Sequence, residues 1–159
     1  MYPPVTRCET RGMELEADLG RSGASRAAVR WRKLRSLLPR SANADPKIAE
    51  LLRIPLFAAL PPDRFELLVR TANVAEVPAG IELIREGTVG REFFAISDGA
   101  VEVSESGRPV AVERAGDFFG EIALLHGTLR TATVKTISPT RLFVMTRRAF
   151  RIVLEPSFE

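Results

Sequence analysis

A glutamate and an arginine lie close together in a stretch whose residue types could bind an anion. Gly120 precedes a short run with helical character, 121–125, and Arg130 follows a second glycine, Gly127. Backbone amides and the dipole at a helix start favour negative charge, and a guanidinium pairs well with phosphate. Glu121 adds a hydrogen-bond acceptor that suits hydroxyl groups. These residue types predict a pocket for a ligand that carries both a phosphate and a sugar.

Short strand-like runs surround this stretch and indicate the framework that holds it. They are rich in β-branched and aromatic residues and are separated by turns that contain glycine or proline. The runs are 74–77, 81–84, 93–96, 101–103, 110–112, 131–137 and 141–145. Apolar spacing also predicts helices at 47–53, 61–71 and 147–154. Many short strands at regular spacing predict a β-sandwich or barrel with helices at its ends.

The N-terminal residues, 1–45, differ from the rest in charge. They contain nine Lys or Arg against five Asp or Glu, whereas the remaining residues contain fourteen against fifteen. We predict a disordered basic arm with a candidate helix at 25–38, since Trp31, Leu34 and Leu38 share one face. This helix could bind an anionic membrane surface or nucleic acid, but a linker helix is the favoured interpretation. Because the core is near neutral, no specific nucleic-acid binding by the core is expected.

Composition excludes several classes of site. No apolar run has the length of a transmembrane segment. Cys8 is the only cysteine, which excludes a disulfide framework and favours a reducing, cytoplasmic location. His126 is the only histidine, so the usual His-rich or Cys-rich metal site is not expected. Neither a cofactor nor enzymatic activity is predicted. His126 is interpreted as an exposed turn residue or one at the pocket mouth.

Two blocks of sequence carry a resemblance to a known family. The first block is the glycine pattern of Pro78-Ala-Gly80, Glu86-Gly87 with Gly90, and 93–101. The second is Phe-Gly-Glu-Ile-Ala-Leu-Leu at 119–125, followed by Arg-Thr-Ala-Thr-Val at 130–134. Together they resemble the cyclic nucleotide-binding domain family over about residues 54–155. The resemblance implies a mainly β fold, an eight-stranded β-roll of jelly-roll type with flanking helices, and a domain at 46–155.

The same resemblance implies a ligand and the residues that contact it. Arg130 would pair with the cyclic phosphate of cAMP or cGMP, and Glu121 would accept a hydrogen bond from the ribose 2′-hydroxyl. Backbone amides near Ala123 and Ala132 would complete the phosphate site, with Gly120 permitting close approach. The implied ligand-binding residues are Phe119, Gly120, Glu121, Ile122, Ala123, Arg130, Thr131 and Ala132.

Three details bear on how this chain compares with the family pattern. Leu129 stands where the family usually has proline, which predicts a less rigid turn before the arginine. Thr131 occupies a position where threonine is common in cGMP-dependent kinases and in cyclic nucleotide-gated channels, which shifts the expectation slightly toward cGMP. Residues 156–159 are interpreted as the start of a C-terminal lid helix that is otherwise missing from this chain.

The predicted function is a non-enzymatic sensor module that binds a cyclic nucleotide and transmits binding through its flanking helices to an effector domain or partner protein. One alternative is a degenerate interaction scaffold in which Arg130 and Glu121 merely pair with each other. Another is the sensor part of a catabolite-activator-type transcription regulator without its DNA-binding domain. An enzyme on a jelly roll, such as a cupin, is disfavoured because one histidine provides too few metal ligands.

Overall fold

Two antiparallel four-stranded sheets form the body of the protein. The structure is a computed structural model, and it describes residues 45–159. The strands are β1 Asn73–Val77, β2 Glu82–Ile84, β3 Glu92–Asp98, β4 Ala100–Glu105, β5 Arg108–Arg114, β6 Phe118–Phe119, β7 Thr133–Thr136 and β8 Thr140–Thr146. Their order is β1-β8-β3-β6 in the first sheet and β2-β7-β4-β5 in the second. The predicted eight-stranded β-roll of jelly-roll type is confirmed.

Helices precede, interrupt and follow the strands. They are α1 Pro46–Leu51, α2 Pro55–Ala58, α3 Pro62–Thr71, α4 Glu121–His126 and α5 Arg147–Val153, and a 3-10 turn follows at Glu155–Ser157. The first three helices each begin with proline, whose fixed φ suits that position and whose missing N–H is not needed there. Asp45 caps α1 by accepting from the Lys47 amide at 2.9 Å. None of the helices in 45–159 is both long and apolar enough to cross a membrane.

Strand β3 separates two apolar cores, because both of its faces are buried. Phe93 and Ala95 point to the helix side, where they join a cluster with residues of α1, α2, α3 and α5. Phe94 and Ile96 point into the β-roll and pack with residues of the second sheet. Alternate side chains of a strand point to opposite faces. The run of apolar residues at 93–96 therefore serves two cores at once.

The predicted strands and helices agree with the structure, except that two short elements were not predicted. All seven runs identified in the sequence form strands, and the helices predicted at 47–53, 61–71 and 147–154 correspond to α1, α3 and α5. The two-residue strand β6 and the short helix α2 were not predicted. The candidate helix at 25–38 lies outside the described residues, and the proposed division of the chain at 45–46 stays a prediction.

Candidate ligand pocket

A glycine turn links β6 to helix α4 and starts the candidate site. Gly120 adopts the left-handed conformation, with φ of 92°, a region that favours glycine. The chain then enters α4, where Glu121 is fully buried and Ala123 is 4% exposed. Leu124 is also fully buried, but it belongs to the helix-side core. The short helix therefore contacts the pocket through Ile122 and Ala123 and the outer helices through Leu124.

Arg130 lies inside the β-roll with its guanidinium held in a fixed position. Its side chain is buried, and Nη1 donates to the Gly120 carbonyl at 2.8 Å. Nη2 donates to the Glu92 carbonyl at 2.6 Å. These two carbonyls come from different parts of the chain, so they fix both the position of the guanidinium and the orientation of its plane. A preoriented guanidinium is suited to binding an anionic oxygen.

The main chain of Arg130 is fixed by the loop between β2 and β3. The Arg130 amide donates to the Thr88 carbonyl at 2.7 Å, and the Gly87 amide donates to the Arg130 carbonyl at 2.8 Å. Leu129, at the position that the family usually gives to proline, forms an isolated antiparallel bridge with Val89. Leu129 itself is exposed. The hydrogen bonds to this loop hold the segment at Arg130 without the conformational restriction of a proline ring.

The predicted ligand-binding residues gather around one cavity, whose empty space of about 380 Å³ includes open solvent at its mouth. Seven of the eight line it: Phe119, Gly120, Ile122, Ala123, Arg130, Thr131 and Ala132. The eighth, Glu121, is buried next to Gly120 but is not one of the lining residues. The structure thus brings the predicted residues together, while their contacts with a ligand stay a prediction.

Sequence reasoning missed four residues of the cavity wall. They are Ile84, Val103, Glu113 and Val134, from strands β2, β4, β5 and β7. Three are apolar and were assigned to strands without a role in the pocket. Glu113 is a carboxylate at 8% exposure, and its position between Val112 and Arg114 gave no signal that it would be buried. The cavity therefore combines apolar walls with the guanidinium of Arg130 and the carboxylate of Glu113.

Other candidate groups lie apart from this cavity. His126 is exposed at the end of α4 and is not a lining residue. Within residues 45–159, no cluster of three or more His, Cys, Asp or Glu side chains is arranged to hold a metal ion. The described cavity offers the guanidinium of Arg130 and the carboxylate of Glu113 for hydrogen bonding and charge pairing.

Comparison with known proteins assigns the family. The sequence model described as "Cyclic nucleotide-binding domain" matches residues 74–157, more than half of the chain. The chain belongs to the cyclic nucleotide-binding domain family. The matched segment contains the glycine turn, helix α4 and Arg130, so the family assignment includes every residue predicted to bind the ligand.

Relatives of this cyclic nucleotide-binding domain include kinase regulatory subunits and a channel. It is 32% identical over 105 residues to a cAMP-dependent protein kinase regulatory subunit from Schizosaccharomyces pombe, covering 65% of this chain and 26% of the relative. It is 37% identical over 106 residues to a cyclic nucleotide-gated potassium channel from Rhizobium etli, covering 67% of this chain and 30% of the channel. The matched region thus spans about a quarter to a third of these relatives.

A solved structure supports the same assignment. The regulatory domain of Toxoplasma gondii PKA, co-crystallised with cAMP, superposes with a TM-score of 0.63 at 29% identity. The match covers 69% of this chain and 44% of that chain. This cyclic nucleotide-binding domain therefore shares its fold, and part of its sequence, with a regulatory domain of a kinase.

Proposed function

We propose that this protein is a non-enzymatic sensor module that binds cAMP or cGMP in the cavity around Arg130 and transmits binding through its flanking helices. In this proposal Arg130 pairs with the cyclic phosphate and Glu121 accepts from the ribose 2′-hydroxyl. The module regulates an effector domain or partner protein, in a cytoplasmic setting that the single cysteine favours. Family membership and the similarity to a kinase regulatory subunit and to a cyclic nucleotide-gated channel support it.

The observation that carries the proposal is the buried, preoriented guanidinium at the cavity. Arg130 is 6% exposed and lines the cavity while it donates to the Gly120 and Glu92 carbonyls. Burial of a cation is unfavourable in the absence of acceptors or an opposite charge. A bound phosphate would add a charge-assisted hydrogen bond in a region of low dielectric constant, where such bonds are strong.

The packing around α4 offers a physical route from the cavity to the outer helices. Ala123 faces the cavity, whereas the next residue, Leu124, is fully buried in the helix-side core. Phe118, just before the glycine turn, contacts Phe158 with ring centroids 5.8 Å apart. A displacement of the turn on nucleotide binding would therefore change the packing of α5 and the residues after it. Binding acts this way only if the nucleotide prefers one of two conformations.

Calorimetric titration with cAMP and cGMP tests the binding step. Arg130→Ala should weaken binding by about ten- to a few-hundredfold, because hydrogen bonds to charged groups contribute roughly 1.5–3 kcal/mol. Arg130→Lys retains the charge but loses the planar fork, and should fall between the wild type and Arg130→Ala. Arg70→Ala is the matched control, since Arg70 is 71% exposed on α3 and pairs with Glu66. It should bind like the wild type.

The result that would overturn the binding proposal is equally direct. If neither nucleotide binds the wild-type protein at millimolar concentration, the domain is not a sensor, and the degenerate scaffold becomes the better interpretation. Thermal unfolding of each variant separates a lost contact from a lost fold, since the Arg130 side chain also bonds to two carbonyls.

Hydrogen exchange tests the transmission step separately. Saturating nucleotide should change amide protection in helices α1–α3 and in α5 with the 3-10 turn, besides the cavity itself. Changes confined to the residues that line the cavity would show a binding domain that does not transmit through its helices.

A further inference from the structure

Strand β5 faces the β-roll with its glutamate rather than with its valine. Val112 is 41% exposed, whereas the adjacent Glu113 is 8% exposed. Neighbouring residues of a strand point to opposite faces, and the apolar one normally faces the core. A local conflict of this kind is expected at functional positions more than elsewhere.

Strand pairing explains how Glu113 comes to face inward. It lies opposite Val101 of β4, and Val101 lies opposite Thr136 of β7. Val101 is fully buried and Thr136 is 1% exposed, so this row of three residues points into the β-roll. Val112 lies opposite Glu102 on the outer face. A shift of β5 by one residue would bury Val112 instead, and it would also break this pairing with β4.

Glu113 shares its cavity with Arg130, and the rest of the wall near the strands is apolar. Ile84, Val103 and Val134 line the same cavity from neighbouring strands. Apolar walls suit a flat heterocycle. An ionised carboxylate has two oxygens and can accept several hydrogen bonds, so it can receive ligand donors beside any protein donor. The cavity thus contains a guanidinium, on Arg130, that can bind an anion and a carboxylate, on Glu113, that can accept hydrogen bonds from N–H donors.

We propose that Glu113 reads the base of the bound nucleotide and gives this domain a preference for cGMP over cAMP; this rests on the function proposed above. Guanine carries two adjacent donors, N1–H and the 2-amino group, which match the two oxygens of one carboxylate. Adenine carries a single amino group next to N1, an acceptor, which a carboxylate disfavours. Thr131, also on the cavity wall, adds a hydroxyl that can bond to the 2-amino group.

Titration with three nucleotides tests the assignment on the wild-type protein. cGMP has both donors, cIMP keeps N1–H without the 2-amino group, and cAMP has neither in that arrangement. The wild type should bind cGMP most tightly, cIMP less tightly and cAMP least tightly. Tighter or equal binding of cAMP would overturn the proposal, whatever the behaviour of the variants.

Two variants test the side chain itself. Glu113→Gln keeps the shape but replaces one acceptor oxygen by a donor, so it should reduce the ratio of cGMP to cAMP affinity by about tenfold. Glu102→Gln is the matched control, because Glu102 lies on the opposite face of the same sheet. It should leave the ratio unchanged. If Glu113→Gln still binds both nucleotides with an unchanged affinity ratio, this inference alone is overturned. If the wild type binds neither nucleotide, the proposed function is overturned.

Discussion

At the level of single residues, two glycines determine how closely the backbone approaches Arg130. A Cβ on Gly120 would lie 2.8 Å from Arg130 Nη1. A Cβ on Gly90 would lie 2.8 Å from the Ala123 Cβ and 3.3 Å from Arg130 Cζ. Contacts of 2.8 Å are too short for real Cβ atoms, so either substitution must displace its neighbours. The sequence shows both glycines as turn residues, but only the fold shows that they make room for the site.

Substitution of Gly90 tests this packing requirement. Gly90→Ala should weaken cyclic nucleotide binding by at least about tenfold, since it displaces Ala123 and the Arg130 guanidinium by tenths of an ångström or more. Calorimetry of the wild type and the variant measures the effect.

The control for Gly90→Ala is a glycine at an open turn. Gly107 has φ of 78°, and nothing lies within 4 Å of a Cβ placed on it. Gly107→Ala should lower the free energy of unfolding by about 1 kcal/mol through backbone strain, without changing the dissociation constant. Wild-type affinity in Gly90→Ala would show that the close packing at Ala123 and Arg130 is not needed for binding.

At the level of secondary-structure elements, an ion pair and its hydrogen bonds attach helix α1 to the first sheet. The contacts involve three adjacent strands, β1, β8 and β3. Arg141 of β8 donates to Glu50 of α1 through Nε at 2.8 Å and through Nη2 at 3.2 Å. Its Nη1 donates to Glu76 of β1 at 2.6 Å. Ser97 of β3 also donates to Glu50, at 3.1 Å. The Arg141 hydrogen bond holds the pKa of Glu50 below its usual value.

The lowered pKa predicts how stability depends on pH. A carboxyl group with a lowered folded-state pKa stabilises the fold above its unfolded pKa, and this stabilisation is lost as pH falls through the folded pKa. Both side chains are partly exposed, so the effect is modest. Glu50→Gln should lower the free energy of unfolding by about 1 kcal/mol near neutral pH, and the difference from the wild type should shrink below about pH 4. Denaturant unfolding at several pH values measures it.

A surface pair provides the comparison for Glu50. Glu66 pairs with Arg70 one helical turn away, and their side chains are 59% and 71% exposed. Glu66→Gln should therefore change stability by well under 1 kcal/mol at any pH. A difference between Glu50→Gln and the wild type that persists undiminished in acid would show that the ion pair is not its cause.

At the level of the whole molecule, the two cores are joined by the segment 118–132, which contains Gly120 and α4. Phe119 and Ala132 belong to the core inside the β-roll, whereas Phe118 and Leu124 belong to the core on the helix side. A ligand held by this segment should therefore stabilise the described domain as one cooperative unit.

Ligand-dependent unfolding tests this cooperativity. A cyclic nucleotide at 100 times its dissociation constant should add about 2.7 kcal/mol to the free energy of unfolding and raise Tm by roughly 5–10 °C in a single transition. Scanning calorimetry measures both, with the non-cyclic 5′-monophosphate at equal concentration as the ligand control. Two transitions, of which only one moves with nucleotide, would show that the cores unfold separately.

Local sequence was sufficient to predict most of the fold and most of the residues that line the cavity. Glycines such as Gly120, which has a left-handed φ, indicated turns in the sequence. Seven strands could be recognised from their composition. Arg130 and Glu121 could be identified because the segment 118–132 is continuous in sequence. Strand β6 could not, because its two residues are held as a strand only by pairing with β3.

The orientation of Glu113 was decided only in the folded molecule. Between Val112 and Arg114, its sequence favours an outward glutamate and an inward valine. Pairing with Val101 of β4 reverses that arrangement, because the register of a whole strand is set by its hydrogen-bonded neighbours and not by one residue's polarity. The proposed phosphate end of the pocket could therefore be located from a motif, whereas the proposed base end depends on a long-range strand contact that places a carboxylate inside the β-roll.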